Sequence, residues 1–389
     1  MDKYILKQAF RISTPIFFGY IAIGIPFGLM IVNAGYPWWI APFMSVTMYA
    51  GAGQYVAATL FASGAALAEI LVTELFVNIR HIVYGLSLID KTKDAGKWKP
   101  YIIYALTDET YAVLTSIEAP RGVPAGTLYG YIALLDQLYW DLGGLIGALA
   151  CNVLIHYNLS QYIQGVDFAL TALFVVILSG QIGKSRDAVP PFIGFAAGIA
   201  AFALNKCGLL SSTNIMFSSI ILGVTVLVLV RGRKFYRDQG KKVKNGSFVL
   251  FAVCAAVLEV GIIAMSVAEL RRNGDAPSVA SQPLTLRMAI VATLLSAVVL
   301  FCERLFPFAL FSKKDPPPVI RFIEQYIPSM IMATLVVYSL KDVSLTAAPF
   351  GAPSFVAIGA ALAVQLLCKN PMLSIFGSTI LYMVLSRIL

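Results

Sequence analysis

The amino-acid sequence predicts an all-α polytopic membrane protein, and three observations predict it. Hydrophobic residues fill 59% of the 389 positions and charged residues only 13%, against about 25% charged in soluble domains. The apolar residues gather into about 12–13 runs, most of them near the roughly 20 residues a helix needs to cross a bilayer. The charges that remain sit in short clusters between those runs. Helices satisfy every backbone group within one segment, so in hydrocarbon each run reads as helix.

The runs fall at about 12–33, 37–62, 64–89, 101–118, 126–150, 165–182, 189–205, 210–230, 247–268, 286–308, 319–340, 352–369 and 371–388. "MDKYILKQAFR" begins like a signal peptide. Pro15, Pro26 and the lack of a small-x-small site make the run after it an uncleaved first helix instead. Residues 2–12 are expected at the interface, with Lys3, Lys7 and Arg11 toward anionic lipid. Run two is interrupted by "MYAGAGQYVAA" (48–58), where Gly51 and Gly53 free the backbone and Gln54 follows. A broken helix exposing backbone groups is expected there; close small-residue helix packing is the alternative. The last two runs are divided only by "KNP" (369–371), with Pro371 opening the final helix.

Net charge is +9, and the positive-inside rule gives it meaning. "RGRKFYRDQGKKVKNG" (231–246) sets Arg231, Arg233, Lys234, Arg237, Lys241, Lys242 and Lys244 against Asp238, and "SKKDPPP" (312–318) is the second basic segment. Both, with the N-terminus, are expected in the cytoplasm. Eight crossings before residue 231 meet that requirement. Run nine then leads outward, "AELRRNGDAPSVASQP" (268–283) is an outer linker, and run ten returns. The lysine-bearing loop "DKTKDAGKWKP" (90–100) then lies outside. Re-entrant hairpins at runs two and five would leave six crossings and put every basic loop inside. The domain limits read 1–240, 241–285 for a connecting helix and linker, and 286–389 for a four-helix part.

Composition also narrows function. The basic clusters are too short to suggest nucleic-acid binding. Cys151, Cys207, Cys254, Cys302 and Cys368 are scattered, most beside apolar residues, and read as small buried hydrophobes. Together with two histidines they offer no metal-ligand spacing, and no G-x-x-x-x-G-K-[ST] motif occurs. No metal or cofactor is expected, and an ion or substrate gradient is left as the energy source. "TELFVNI" (73–79) matches "TALFVVI" (171–177) at five of seven positions. An internal, inverted duplication of the kind secondary transporters carry is one reading, and chance among apolar residues is the other.

Ionisable residues inside the runs are the candidates for chemistry, because a charge at membrane depth must face protein or water. In "LVTELFVNIRHIVYG" (71–85), Glu74, Asn78 and His81 at i, i+4 and i+7 share one helical face, with Arg80 offset from it. Arg80 and His81 could instead snorkel to the headgroups. "LTDETYAV" (106–113) sets Asp108 beside Glu109, one able to pair with Arg80 and the other to face water; adjacent carboxylates raise each other's proton affinity. In "LLDQLYWDLGG" (134–144), Asp136 and Trp140 share a face and could line a pocket for an ammonium group and an aliphatic chain. Tyr139 and Trp140 could alternatively belong to an interfacial belt. Glu259 stands alone in run nine and reads as a packing contact. Arg304 precedes Pro307 in "CERLFPF" (302–308) at an expected helix end, where snorkelling competes with an interface role.

These motifs resemble a known family. "YAGAGQ", "VNIRHIVYGLSL" (77–88), "TDET" (107–110) and "GVDFALTALF" (165–174) resemble AzlC. "ERLFPF", "IPSMIMATLVVYSL" and "CKNPMLSIFGSTILYMVL" resemble its small four-helix partner AzlD. The resemblance covers about 1–235 and 286–389, with both parts fused and run nine as the extra crossing a fusion needs. It implies a secondary transporter that exports branched-chain amino acids such as valine, leucine and isoleucine from a bacterial cytoplasmic (inner) membrane. Gly51, Gly53, Gln54, Asn78, Arg80, Asp136 and Trp140 are then the candidates for substrate binding. Glu74, His81, Asp108 and Glu109 are those for proton coupling, and Arg304 and Pro307 those for a structural or interface role. The expected partners are an amino acid, protons and lipids, with a homo-oligomer left open. A channel or structural subunit is the competing class, and an intramembrane hydrolase built on Asp108 and Asp136 is a third.

Overall fold

Thirteen apolar runs become a chain of helices, several of them broken at the polar stretches that the sequence marks. The computed structural model describes residues 2–120, 122–159, 163–211, 214–238, 245–273, 282–311, 318–341, 343 and 349–388. The helices are α1 (Asp2–Asn33), α2 (Ile40–Thr47), α3 (Gly51–Ala62), α4 (Leu67–Asn78), α5 (Arg80–Leu88), α6 (Lys99–Tyr104), α7 (Asp108–Ser116), α8 (Ala125–His156) and α9 (Phe168–Ser185). They continue with α10 (Val189–Lys206), α11 (Ile215–Leu227), α12 (Arg233–Asp238), α13 (Asn245–Asn273), α14 (Leu286–Phe311), α15 (Pro318–Tyr338), α16 (Ala352–Cys368) and α17 (Pro371–Ile388).

Eight described helices or helix pairs are long and apolar enough to cross a membrane. Run five is a single helix of 32 residues, which removes the re-entrant alternative for that run. Runs two and four are each split into two short helices, at 48–50 and 105–107, and run three is interrupted at Ile79 between α4 and α5. Residues 2–12 are not a separate interfacial segment. They continue α1 without a break, and Ile5 and Ala9 are buried with Leu106, Ile132 and Phe308 in one apolar cluster. The apolar side of this first stretch has protein to pack on, while Lys3, Lys7 and Arg11 remain exposed.

Two compact units form. The first holds Met1–Leu170, Gln282–Asp315 and Cys368–Leu389. Its frame is the close crossing of α1 and α8. Gly24 and Gly28 on α1 face Gly143, Gly144 and Gly147 on α8, and a Cβ at Gly24 or Gly143 would come within 3.0 Å of the opposing backbone. Small residues let two backbones touch, the device by which apolar helices associate without a hydrophobic drive between them. Tyr36, in the turn after α1, donates to the carbonyls of Leu284 (2.9 Å) and Phe61 (3.2 Å). Burial pushes its phenol up to about 12.

The second unit holds Thr171–Ser281 and Pro316–Leu367, with α10 and α11 packed on α15 and α13 on α11. Arg231 does not stand free in a basic segment, since its Nη2 donates to both carboxylate oxygens of Asp187, at 2.8 and 3.0 Å. Glu259 on the connecting helix α13 accepts from Ser218 of α11, and Asn214 donates to Ser266 at 2.9 Å. Residues 239–244 and 312–317, which hold most of the other basic positions, lie outside the described residues.

One expectation needs correction. Only Cys151 is buried; Cys207, Cys254, Cys302 and Cys368 are exposed on the protein surface, where a thiol suits a lipid-facing position as well as a core. In the 90–100 loop two of the lysines have structural work. Lys91 donates to the carbonyls of Leu114, Thr115 and Ile117, closing the C-terminal end of α7, and Lys99 lies over the Phe308 ring at 6.0 Å. A cation held by a helix end says little about which side of a membrane its loop occupies.

Candidate functional site

The candidate site lies within the first unit, where the two split helices meet α4, α5, α8 and α14. The break after α2 has Tyr49 at φ +43 and Ala50 extended, so α3 restarts at Gly51. The expected break is therefore real but falls at 48–50, just ahead of the glycines. The second break restarts α7 at Asp108, with Thr107 as N-cap accepting from the Thr110 amide at 3.3 Å. At each break the C-terminal carbonyls of one half-helix and the N-terminal amides of the other lose their helical partners.

Arg304 binds the carbonyl side of both breaks. Its guanidinium donates to Met48 at 3.2 Å, to Tyr49, and to Tyr104 at 2.6 Å. The residue is fully buried in the middle of α14, so snorkelling is overturned. Three carbonyls at negative helix ends suit a cation better than a headgroup that α14 would have to bend to reach. Tyr104 adds a hydroxyl hydrogen bond to Val46. Pro307, one turn further along α14, packs on Gly85 of α5, where a Cβ would collide with the proline ring.

α8 stitches the amide side. Trp140 Nε1 donates to Gln54 Oε1 at 2.9 Å. That oxygen also accepts from the Ala50 amide at 3.2 Å, and Gln54 Nε2 donates to Ser45 at 3.0 Å. One turn away, Asp136 Oδ2 accepts from Thr110 at 2.8 Å while its Oδ1 has no partner among the described residues. Trp140 and Tyr139 are buried, which rules out a belt position. Trp140 meets Tyr20 edge-on at 5.5 Å and stacks on Phe27 at 6.2 Å.

The 71–85 stretch forms the remaining wall. Glu74 and Asn78 are fully buried, and Asn78 Nδ2 donates to Glu74 Oε2 at 2.9 Å. Gly53 of α3 stands against this pair, with room there for hydrogen only, since a Cβ would lie 2.8 Å from Asn78 Nδ2 and closer still to Glu74. Arg80 is buried and pairs with Asp108 at 2.9 Å; Tyr84 also donates to Asp108. His81 is buried with its ring edge-on to Tyr84 at 5.8 Å. Glu109 does not simply face water. It accepts from Tyr20 at 2.9 Å and borders a cavity of 480 Å³ lined also by Pro15, Ile16, Ile23, Pro371 and Met372.

All the sequence-predicted site residues therefore fall in one unit, with Glu74, Asn78, Arg80 and Asp108 on one side and Gln54, Asp136 and Trp140 on the other. Sequence reasoning missed Tyr20, Thr110, Ser45 and Glu303. Glu303 carried a signal, being an acid beside Arg304 in an apolar run of over twenty residues. The hydroxyls carried none, because a lone Ser or Thr in a membrane helix usually bonds its own backbone and a lone Tyr is common in an apolar run.

The fold and these buried polar groups define a polytopic membrane protein whose ionisable residues converge on broken helices. Residues 15–154 match the AzlC protein family model, and residues 289–386 match the branched-chain amino acid transport protein (AzlD) model. The chain belongs to this AzlC/AzlD branched-chain amino acid transport family, with both parts in one polypeptide. An uncharacterized membrane protein of Helicobacter pylori is 34% identical over 58% of this chain and 94% of its own length. The branched-chain amino acid transport protein AzlC of Bacillus subtilis is 31% identical over 51% of this chain and 76% of its own. Inner membrane protein YgaZ of Escherichia coli is 30% identical over 49% of this chain and 80% of its own. No solved structure matches.

Proposed function

We propose that the chain is a secondary transporter that exports branched-chain amino acids, valine, leucine and isoleucine among them, in exchange for protons. The observation that carries this reading is the pair of helix breaks at 48–50 and 105–107, flanked by buried carboxylates. The first backbone bond of α3 runs from Gln54 to Ala50 at 2.8 Å. The amides of Gly51, Ala52 and Gly53 thus lie at a positive helix end suited to a substrate carboxylate. Asp136 offers a free oxygen to an ammonium group, and Tyr20, Phe27 and Trp140 supply an apolar wall for a branched side chain. Glu74, His81, Asp108 and Glu109 are the ionisable groups assigned to proton coupling, and Arg80 holds Asp108 in place. The names of the Bacillus and Escherichia relatives support the substrate class and an inner-membrane location. A cytoplasmic N-terminus follows from the basic residues at 3, 7 and 11.

Valine efflux from proteoliposomes with an imposed pH gradient tests the reading. Acceleration by a gradient that drives protons inward against outgoing valine is the expected result. Efflux indifferent to the gradient ends the antiport reading, and single-channel conductance would replace it with a channel.

A further inference from the structure

Glu303 lies outside every role assigned so far. It is 4% exposed, in the middle of α14, and neither carboxylate oxygen has a hydrogen-bond partner among the described residues. α14 packs on α4, α5, α6 and α2. The charged groups that act on Glu303 are Arg304 on its own helix, Glu74 on α4 and Arg80 on α5. From α6, Tyr104 is engaged by Arg304 and Lys99 lies over Phe308, while α2 has no ionisable side chain. Arg304 donates to three backbone carbonyls, and Arg80 is paired with Asp108.

Glu74 is in a matching condition. It is fully buried, its Oε2 accepts from Asn78, and its Oε1 has no partner. An ionised carboxylate without hydrogen bonds at membrane depth is costly, and a proton removes the charge. Two buried carboxylates with unpartnered oxygens, on the packed helices α4 and α14, can hold one shared proton as a pair, not as two independent sites. We infer that Glu303 and Glu74 form a two-carboxylate proton site, one acid from each family part, that takes up the coupling proton on one side of the membrane and releases it on the other. This places the C-terminal part inside the coupling machinery, and it rests on the antiport reading above.

The test uses the full chain in proteoliposomes, with valine as substrate. Gradient-driven efflux is compared with valine counterflow, which moves no net protons. Glu303→Gln is expected to lower the ratio of driven efflux to counterflow about tenfold or more, while Glu303→Asp keeps most of it. Glu74→Gln should lower the same ratio, and Glu74→Gln with Glu303→Gln should do no more than either alone. If wild type responds to the pH gradient and Glu303→Gln responds equally, the pair is refuted while antiport stands. If wild type ignores the pH gradient, or follows a sodium gradient instead, both are refuted. Loss of counterflow together with drive in both Glu303 variants marks a structural role and also overturns the inference.

Discussion

Arg304 donates to the carbonyl of Tyr104 at 2.6 Å, from a helix 200 positions further along the chain. With its bonds to Met48 and Tyr49 this makes one guanidinium the common cap of two half-helices. Arg304→Ala leaves three carbonyls unserved, at about 1–3 kcal/mol for each buried group left without a partner. Arg304→Lys cannot reproduce the planar fork and should fall between wild type and alanine. Thermal unfolding in detergent measures the order, and equal melting of all three proteins would contradict it.

Gly53 makes the opposite kind of demand. Gly→Ala within a helix normally stabilises by about 1 kcal/mol. At Gly53 the added methyl meets Glu74 and Asn78, so Gly53→Ala should destabilise and should reduce valine transport. Asn78→Ala in the same chain opens space and should recover part of the stability lost. Additive losses in the double variant would show that the collision is not the cause.

The Arg80–Asp108 pair has one fully buried and one partly exposed member. Removing one partner of a buried pair costs about 3–5 kcal/mol, and solvent at Asp108 moves the expectation toward the lower end. Asp108→Asn should therefore be less stable than the doubly neutral Arg80→Gln, Asp108→Asn protein. Denaturation of the single and double variants gives the coupling directly.

Tyr36 offers a pH signature. Its phenol is raised on folding to about 12 by burial. A raised group contributes stability that is complete below its unfolded value of about 10 and disappears as pH climbs through the folded value. Wild type should lose stability between these limits more steeply than Tyr36→Phe. At neutral pH Tyr36→Phe should already be weaker by about 1 kcal/mol per lost hydrogen bond. Melting temperature across an alkaline series decides it, and parallel curves would exclude the phenol.

Much of the site was legible because a membrane punishes misplaced charge. Glu74, Arg80, Asp108 and Asp136 stood out against apolar runs; Glu74, Arg80 and Asp136 are buried, and Asp108, partly exposed, pairs with Arg80. Helical spacing put Glu74 on the face of Asn78, and the two are hydrogen-bonded. Spacing could not choose which acid Arg80 takes: Asp108 and Glu109 are adjacent, and only the start of α7 at Asp108 turns that one toward Arg80 and Glu109 toward Tyr20. Nor could it locate the break in run two to the residue, because glycine permits a break without requiring it.

The sequence by itself determined the membrane class, the order of helices, the family and the polar residues that hydrocarbon forbids anywhere but in protein contact. Those properties follow from composition and short-range periodicity, which a linear chain displays in full. Tertiary structure alone decided that Arg304 caps Met48, Tyr49 and Tyr104, that Gly53 yields its side chain's space to Glu74, and that Trp140 reaches Gln54. Each of these joins residues far apart in sequence, and their pairing is set by which helix backbones can approach closely enough, as at the glycines of α1 and α8.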